Sequence, residues 1–203
     1  GYGLSDRSFY TQVANKLQDE EQPFFLQMPT LSNHGPFDID KIYRTLDLPP
    51  DVDQSYLGGY FESVAYSDRQ IEMMFNKLDN EGLLDNTVVV IYGDHAGVHK
   101  YYNDDIQNLD YEDGWWKEYD QKIPLIIYSK DVKPKVVEAA GGQVDILPTL
   151  CYLMGIDKEK YENTSMGRVL VNTNRNATVI KGNEIVGQVS SEEEKEHLLK
   201  AYQ

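Results

Sequence analysis

The chain holds 203 residues, with 34 acidic against 19 basic side chains, a formal net charge of −15 and a single cysteine. That balance argues against nucleic acid or an anionic membrane face as partner, because both demand a positive footprint. A small anionic substrate stays open, since a bound divalent cation reverses the field of one cleft.

Ser5 caps a predicted amphipathic helix over residues 6–19, in which Phe9, Val13 and Leu17 recur every four residues. After Pro23, Phe24 to Met28 is predicted as a short buried strand that empties into the loop Thr30-Leu31-Ser32-Asn33-His34-Gly35-Pro36-Phe37. Residues 38–58 carry Pro49-Pro50 and Gly58-Gly59 and read as an irregular excursion with room for one helical turn. From Tyr60 the positions Phe61, Val64, Ala65, Ile71, Met74, Phe75 and Leu78 keep helical spacing to about residue 79, and Gly82 breaks it.

Thr87 to Ile91 are all β-branched, which predicts a strand over 87–92 buried on both faces as in a parallel sheet. It stops at Gly93 and at once presents Asp94 and His95. The wet but aromatic segment 98–121 is expected to be an active-site loop with short helix, packed down by Trp115 and Trp116. Ile123 to Tyr128 is a further strand, whose Pro124 suits an early or edge position.

Gly141-Gly142 leads into a helix expected to be buried almost all round, with Asp145 as N-cap, Pro148 in the first turn and Gly155 as its stop; the lone Cys151 within it reads as a small hydrophobe. Residues 169–171, 177–180 and 184–189 read as short strands, and a charged helix over 191–201 closes the chain. The alternation predicts an α/β fold: a mostly parallel sheet with helices on both faces, then a small antiparallel C-terminal portion. The expected division is residues 1–165 and residues 166–203 with the terminal helix.

In open α/β sheets ligands sit beyond the strand carboxyl ends, where Asp94 and His95 stand. A carboxylate beside an imidazole suits Zn²⁺ or Mn²⁺, yet two neighbours close no coordination sphere. His34, at the end of a second predicted strand, is placed to donate a proton or a hydrogen bond to an anionic oxygen. His99 and Lys100 lie just beyond the pair, within possible reach of a phosphate or sulfate, although a solvated loop suits both. No serine or threonine stands in a nucleophile motif; Thr30 and Ser32 are the nearest.

Tyr2-Gly3-Leu4-Ser5-Asp6, Leu31-Ser32-Asn33-His34-Gly35-Pro36-Phe37, Tyr92-Gly93-Asp94-His95 and Val144-Asp145-Ile146-Leu147-Pro148-Thr149-Leu150 with Met154-Gly155-Ile156, in this order, resemble the sulfatase and alkaline phosphatase superfamily, and within it the lipoteichoic acid synthase branch. The Met166-Gly167-Arg168 turn fits as well. The resemblance implies a metal-dependent phosphoglycerol transferase acting on an anionic phospholipid head group in cell-wall polymer synthesis. It also implies an extracellular catalytic domain held at the cell membrane by upstream transmembrane helices. Asp94 and His95 map onto metal ligands and His34 onto the phosphate contact, with one divalent ion, Mn²⁺ ahead of Mg²⁺, Ca²⁺ or Zn²⁺.

That family's nucleophilic threonine and further glutamate ligand lie upstream of the Gly-Leu-Ser-Asp motif, and this sequence begins there with no methionine. It therefore resembles the C-terminal part of a catalytic domain, expected to partner the N-terminal part of the same protein and to be inactive alone. The alternatives are a sulfatase or phosphodiesterase that hydrolyses a sulfate or phosphate ester, and a non-catalytic module that binds anionic glycolipid or polymer.

Overall fold

The computed structural model describes residues 3–112, 114–119 and 121–202, so Tyr2 of the first motif and positions 113 and 120 of the aromatic segment lie outside the described residues. The chain divides into two compact units, Gly1–Val132 and Lys133–Gln203.

In the first unit the Ser5 side chain accepts from the Ser8 amide and starts α1 (Asp6–Leu17). Its face of Tyr10, Ala14 and Leu17 packs on Met74 and Leu78 of α3 (Tyr56–Asn80) and on Leu84, with Phe24, Met28, Val89 and Tyr128 laid against the same cluster. Between them the excursion holds a 3₁₀ turn, Lys41–Tyr43, and α2 (Pro50–Asp53).

Helix α3 starts four residues earlier than the apolar spacing predicts, capped by Ser55, and runs straight through Gly58 and Gly59. Those glycines are contact points: a Cβ at Gly58 would lie 2.1 Å from the Val52 carbonyl oxygen, and one at Gly59 2.5 Å from that of Phe37. The buried face of α3 is also partly polar, with Glu62, Ser63, Ser67 and Gln70 facing inward. Each has a partner; Glu62, fully buried, accepts the Thr45 and Leu46 amides at 2.9 Å each.

Strand β1 (Val89–Tyr92) pairs antiparallel with β2 (Leu125–Tyr128), Val89 opposite Tyr128 and Tyr92 opposite Leu125. The expected parallel sheet is therefore not seen among the described residues, and β1 is half-buried rather than covered on both faces, because the ribbon has only two strands. Residues 24–28 form no strand: they have no ladder partner among the described residues. Between the strands, α4 (His99–Gln107) and a 3₁₀ turn, Trp115–Lys117, carry the aromatic segment; Trp116 is buried with Phe37, Val52, Leu57, Val98 and Ile106 as expected, whereas its neighbour Trp115 is 77% exposed.

In the second unit Asp145 ends a 3₁₀ turn, Gln143–Asp145, before α5 (Ile146–Leu153) and makes no side-chain cap on that helix. Its buried carboxylate instead accepts the Gly142 amide at 2.8 Å and the Arg168 amide at 2.7 Å, tying the Met166-Gly167-Arg168 turn to the helix start. The burial expected for α5 is confined to Pro148, Thr149 and Cys151, while Leu147, Leu153 and Met154 are exposed. Residues 169–171 form no strand; β3 (Asn176–Ile180) and β4 (Glu184–Gln188) form an antiparallel hairpin, followed by α6 (Glu192–Tyr202).

Burial, and then the Asp6 charge, push the Tyr10 phenol from the ordinary 10.0 up to about 12. The folded state keeps a proton that the unfolded chain releases above pH 10, so this contribution is complete below pH 10 and is lost as pH rises toward 12. Urea titrations across that window should show a loss on the order of 2 kcal/mol in the wild type that Tyr10→Phe lacks.

Candidate functional site

The β1 to β2 ribbon continues one residue past the ladder, where the Gly93 amide donates to the Pro124 carbonyl at 3.1 Å. A Cβ at Gly93 would press within 3.0 Å of Ile123, so the bare backbone allows the close approach there. The chain then turns out and delivers two side chains together. His95 Nε2 lies 3.7 Å from Asp94 Oδ1, and His95 Nδ1 meets the Ala96 carbonyl at 2.7 Å. That carbonyl accepts only if Nδ1 carries a proton, and in the neutral ring this leaves Nε2 as the acceptor nitrogen on the side of the Asp94 carboxylate.

Two electron-rich atoms facing each other at this distance suit a shared cation. Ligands about 2.1 Å from one ion can span up to roughly 4.2 Å, and a metal-bound histidine commonly donates its other N–H to a backbone carbonyl. Asp94 and His95 thus fit two positions of a divalent-ion site. Among the described residues no group of three or more histidine, cysteine, aspartate or glutamate side chains is arranged to hold a metal ion. Asp94 and His95 by themselves close no coordination sphere.

His34 stands in a loop fixed at both ends. Its amide donates to the Leu31 carbonyl at 3.1 Å, its carbonyl accepts from the Phe37 amide at 3.2 Å, and its Nδ1 meets the Gly35 carbonyl at 2.8 Å. Phe37 sits at φ 65, a left-handed conformation that costs a bulky residue about 1–2 kcal/mol. Its buried ring offsets that cost, edge-on to Tyr60 at 5.2 Å and to Tyr102 at 6.0 Å.

Tyr60 reaches the Asp94 loop directly and Tyr102 is linked to it through Tyr101. A Cβ at Gly97 would lie 2.5 Å from the Tyr60 hydroxyl, and Tyr102 neighbours Tyr101, whose ring meets His95 edge-on at 6.1 Å. Burial raises the Tyr60 phenol above its usual value and keeps it neutral. Both histidine loops therefore rest on one aromatic floor, although the strand expected to lead into the first of them is absent. Sequence periodicity gives no sign of this floor, because Phe37, Tyr60 and Tyr102 come from three separate segments.

The remaining candidates separate. Lys100 holds its ammonium 5.0 Å from the centre of the Tyr101 ring, beside the ring that touches His95. His99 stacks on Tyr119 at 5.7 Å and 15°, with Nε2 buried and without a hydrogen-bond partner among the described residues, so it is turned into the packing of its own segment.

Residues 1–156 match the sulfatase family. Lipoteichoic acid synthase 1 of Bacillus subtilis is 35% identical over 167 residues, which is 79% of this chain and 25% of that protein. Lipoteichoic acid synthase of Staphylococcus saprophyticus is 33% identical over 189 residues, 87% of this chain and 27% of that protein. The chain thus spans about a quarter of the length of the curated relatives it matches. Among solved structures, the lipoteichoic acid synthase LtaP of Listeria monocytogenes superposes with a TM-score of 0.71 at 24% identity, over 99% of this chain and 58% of that one. An alkaline phosphatase superfamily protein of Vibrio parahaemolyticus gives a TM-score of 0.66 at 18% identity, over 100% of this chain and 54% of that one. These two likenesses bear on the fold.

Proposed function

The chain belongs to the sulfatase family, and we propose that it is the C-terminal part of the catalytic domain of a phosphoglycerol transferase of the lipoteichoic acid synthase type. The observation that carries this reading is the pairing of Asp94 and His95 at 3.7 Å on the same aromatic floor as the His34 loop. The curated relatives named above, lipoteichoic acid synthases in two organisms, support the branch.

In this reading Asp94 and His95 hold one side of a divalent ion, Mn²⁺ by preference. Such an ion, when bound, supplies Lewis-acid stabilisation of phosphoryl oxygens. The His34 ring donates a hydrogen bond to a non-bridging oxygen of the phosphodiester, and the Lys100 ammonium adds positive charge to a chain of net charge −15. Phosphatidylglycerol is the donor: its P–O bond to diacylglycerol breaks, diacylglycerol leaves carrying the proton, and the phosphoglycerol group goes to an acceptor hydroxyl. The nucleophile, the remaining ligands and the strands that make the sheet parallel come from the N-terminal part of the domain. The site works on the extracellular face of the cell membrane; among the described residues no helix is long and apolar enough to cross it.

A chimera tests this. Residues 1–156 replace the matching portion of Bacillus subtilis lipoteichoic acid synthase 1, and the product is assayed on phosphatidylglycerol vesicles. Diacylglycerol release with phosphoglycerol on an acceptor, abolished by His34→Ala, is the expected result. Free glycerol phosphate without acceptor labelling would support a phosphodiester hydrolase instead, and no release of either kind would contradict both.

A further inference from the structure

Asp6 is 1% exposed, the second most buried acid of the first unit after Glu62 among the described residues, and the side chain that caps α1 is that of Ser5. Oδ1 accepts the Ser32 amide at 3.0 Å and the Leu31 amide at 3.3 Å. Oδ2 accepts the Ser67 hydroxyl of α3 at 2.9 Å, and the Asp6 amide donates to the Ser32 hydroxyl at 2.9 Å. One buried side chain thereby joins the start of α1, the middle of α3 and the two residues where the His34 loop begins. Leu31 is in turn the residue whose carbonyl accepts the His34 amide.

We infer that Asp6 is the positioning residue of the His34 loop, holding Leu31 and Ser32 so that the imidazole is presented in one place to an anionic oxygen. A first-turn aspartate usually serves its own helix through the N-terminal dipole. Here the carboxylate is spent on a segment 25 and 26 residues away, and the loop's other anchor, Phe37, lies beyond His34. A loop clamped on both sides of one exposed histidine is preorganised around it, and a displacement of about 1 Å is enough to weaken such a contact by orders of magnitude. The inference rests on the reading that His34 meets the anionic group of the substrate.

The test uses the 203-residue chain, with backbone amides and the His34 ring followed by NMR, inorganic phosphate as the probe, and the variants Asp6→Ala, Asp6→Asn and Ser67→Ala. Asp6→Ala should lower hydrogen-exchange protection at Leu31, Ser32 and His34 at least tenfold while amides in the middle of α3 keep theirs. The phosphate concentration that half-shifts the His34 ring should rise at least fivefold. Asp6→Asn, which keeps one acceptor oxygen, should recover most of both, and Ser67→Ala, which leaves the two amide contacts intact, should fall between. Equal loss of protection through α1 and α3, or a His34 ring and loop that behave as in the wild type, would overturn the inference. A wild-type ring that ignores phosphate would instead remove the role given to His34, and the amide data would still decide the role of Asp6.

Discussion

Gly58→Ala should destabilise the first unit by about 2–4 kcal/mol, although alanine in a helix interior ordinarily gains about 1 kcal/mol over glycine. The inversion follows from what the methyl group would meet. A Cβ there lies 2.1 Å from the Val52 carbonyl oxygen and 2.8 Å from the Asp53 Cα, and neither is the tip of a flexible side chain. Helix α2 must therefore move off the start of α3. Gly59, one position on, bears the same relation to Phe37, so the next residue of the helix seats the anchor of the His34 loop.

Urea unfolding followed by near-ultraviolet circular dichroism measures the loss. Gly82→Ala is the comparison: nothing stands within 4 Å of its Cβ, so only the φ of 71° is penalised, at about 1 kcal/mol. Equal effects at the two sites would mean that the α2 to α3 contact is looser than the geometry indicates.

The same pair of glycines shows why part of the fold was illegible in the sequence. Local signals served well where local physics decides: Ser5 caps α1, the β-branched run places β1, and Lys181-Gly182-Asn183 turns the last hairpin. They failed where distant segments decide. Gly58-Gly59 reads as a break, yet it is a contact surface inside a 25-residue helix. The apolar stripe of α3 misses Glu62 and Ser67, which are buried because loop amides and Asp6 await them. Phe24 to Met28 has the composition of a strand, but a strand is defined by its partner, and the described residues offer none. The Asp94 and His95 pair was legible because two adjacent residues at a strand end need no tertiary information to be placed together. The floor beneath them was not.

His95→Ala should weaken Mn²⁺ binding at least tenfold, to the level of an isolated carboxylate. A two-donor corner, with Asp94 about 84% exposed, holds a divalent ion weakly at best, and the loss of the imidazole leaves the carboxylate as its one donor. Asp94→Asn should weaken it as well, by removing the negative charge while keeping the shape. Calorimetric titration at fixed pH measures both variants against the wild type, and His99→Ala should match the wild type because that ring is stacked on Tyr119.

In the proposed reading Asp94, His95 and His34 meet on one face as part of a divalent-ion site for a phosphate ester. The most direct test of that reading is paramagnetic broadening of the histidine ring resonances by substoichiometric Mn²⁺. The His95 ring should broaden first and the His34 ring with it, and both effects should vanish in Asp94→Asn. Broadening spread evenly over the four histidines, or a His95 ring left sharp while others broaden, would contradict it.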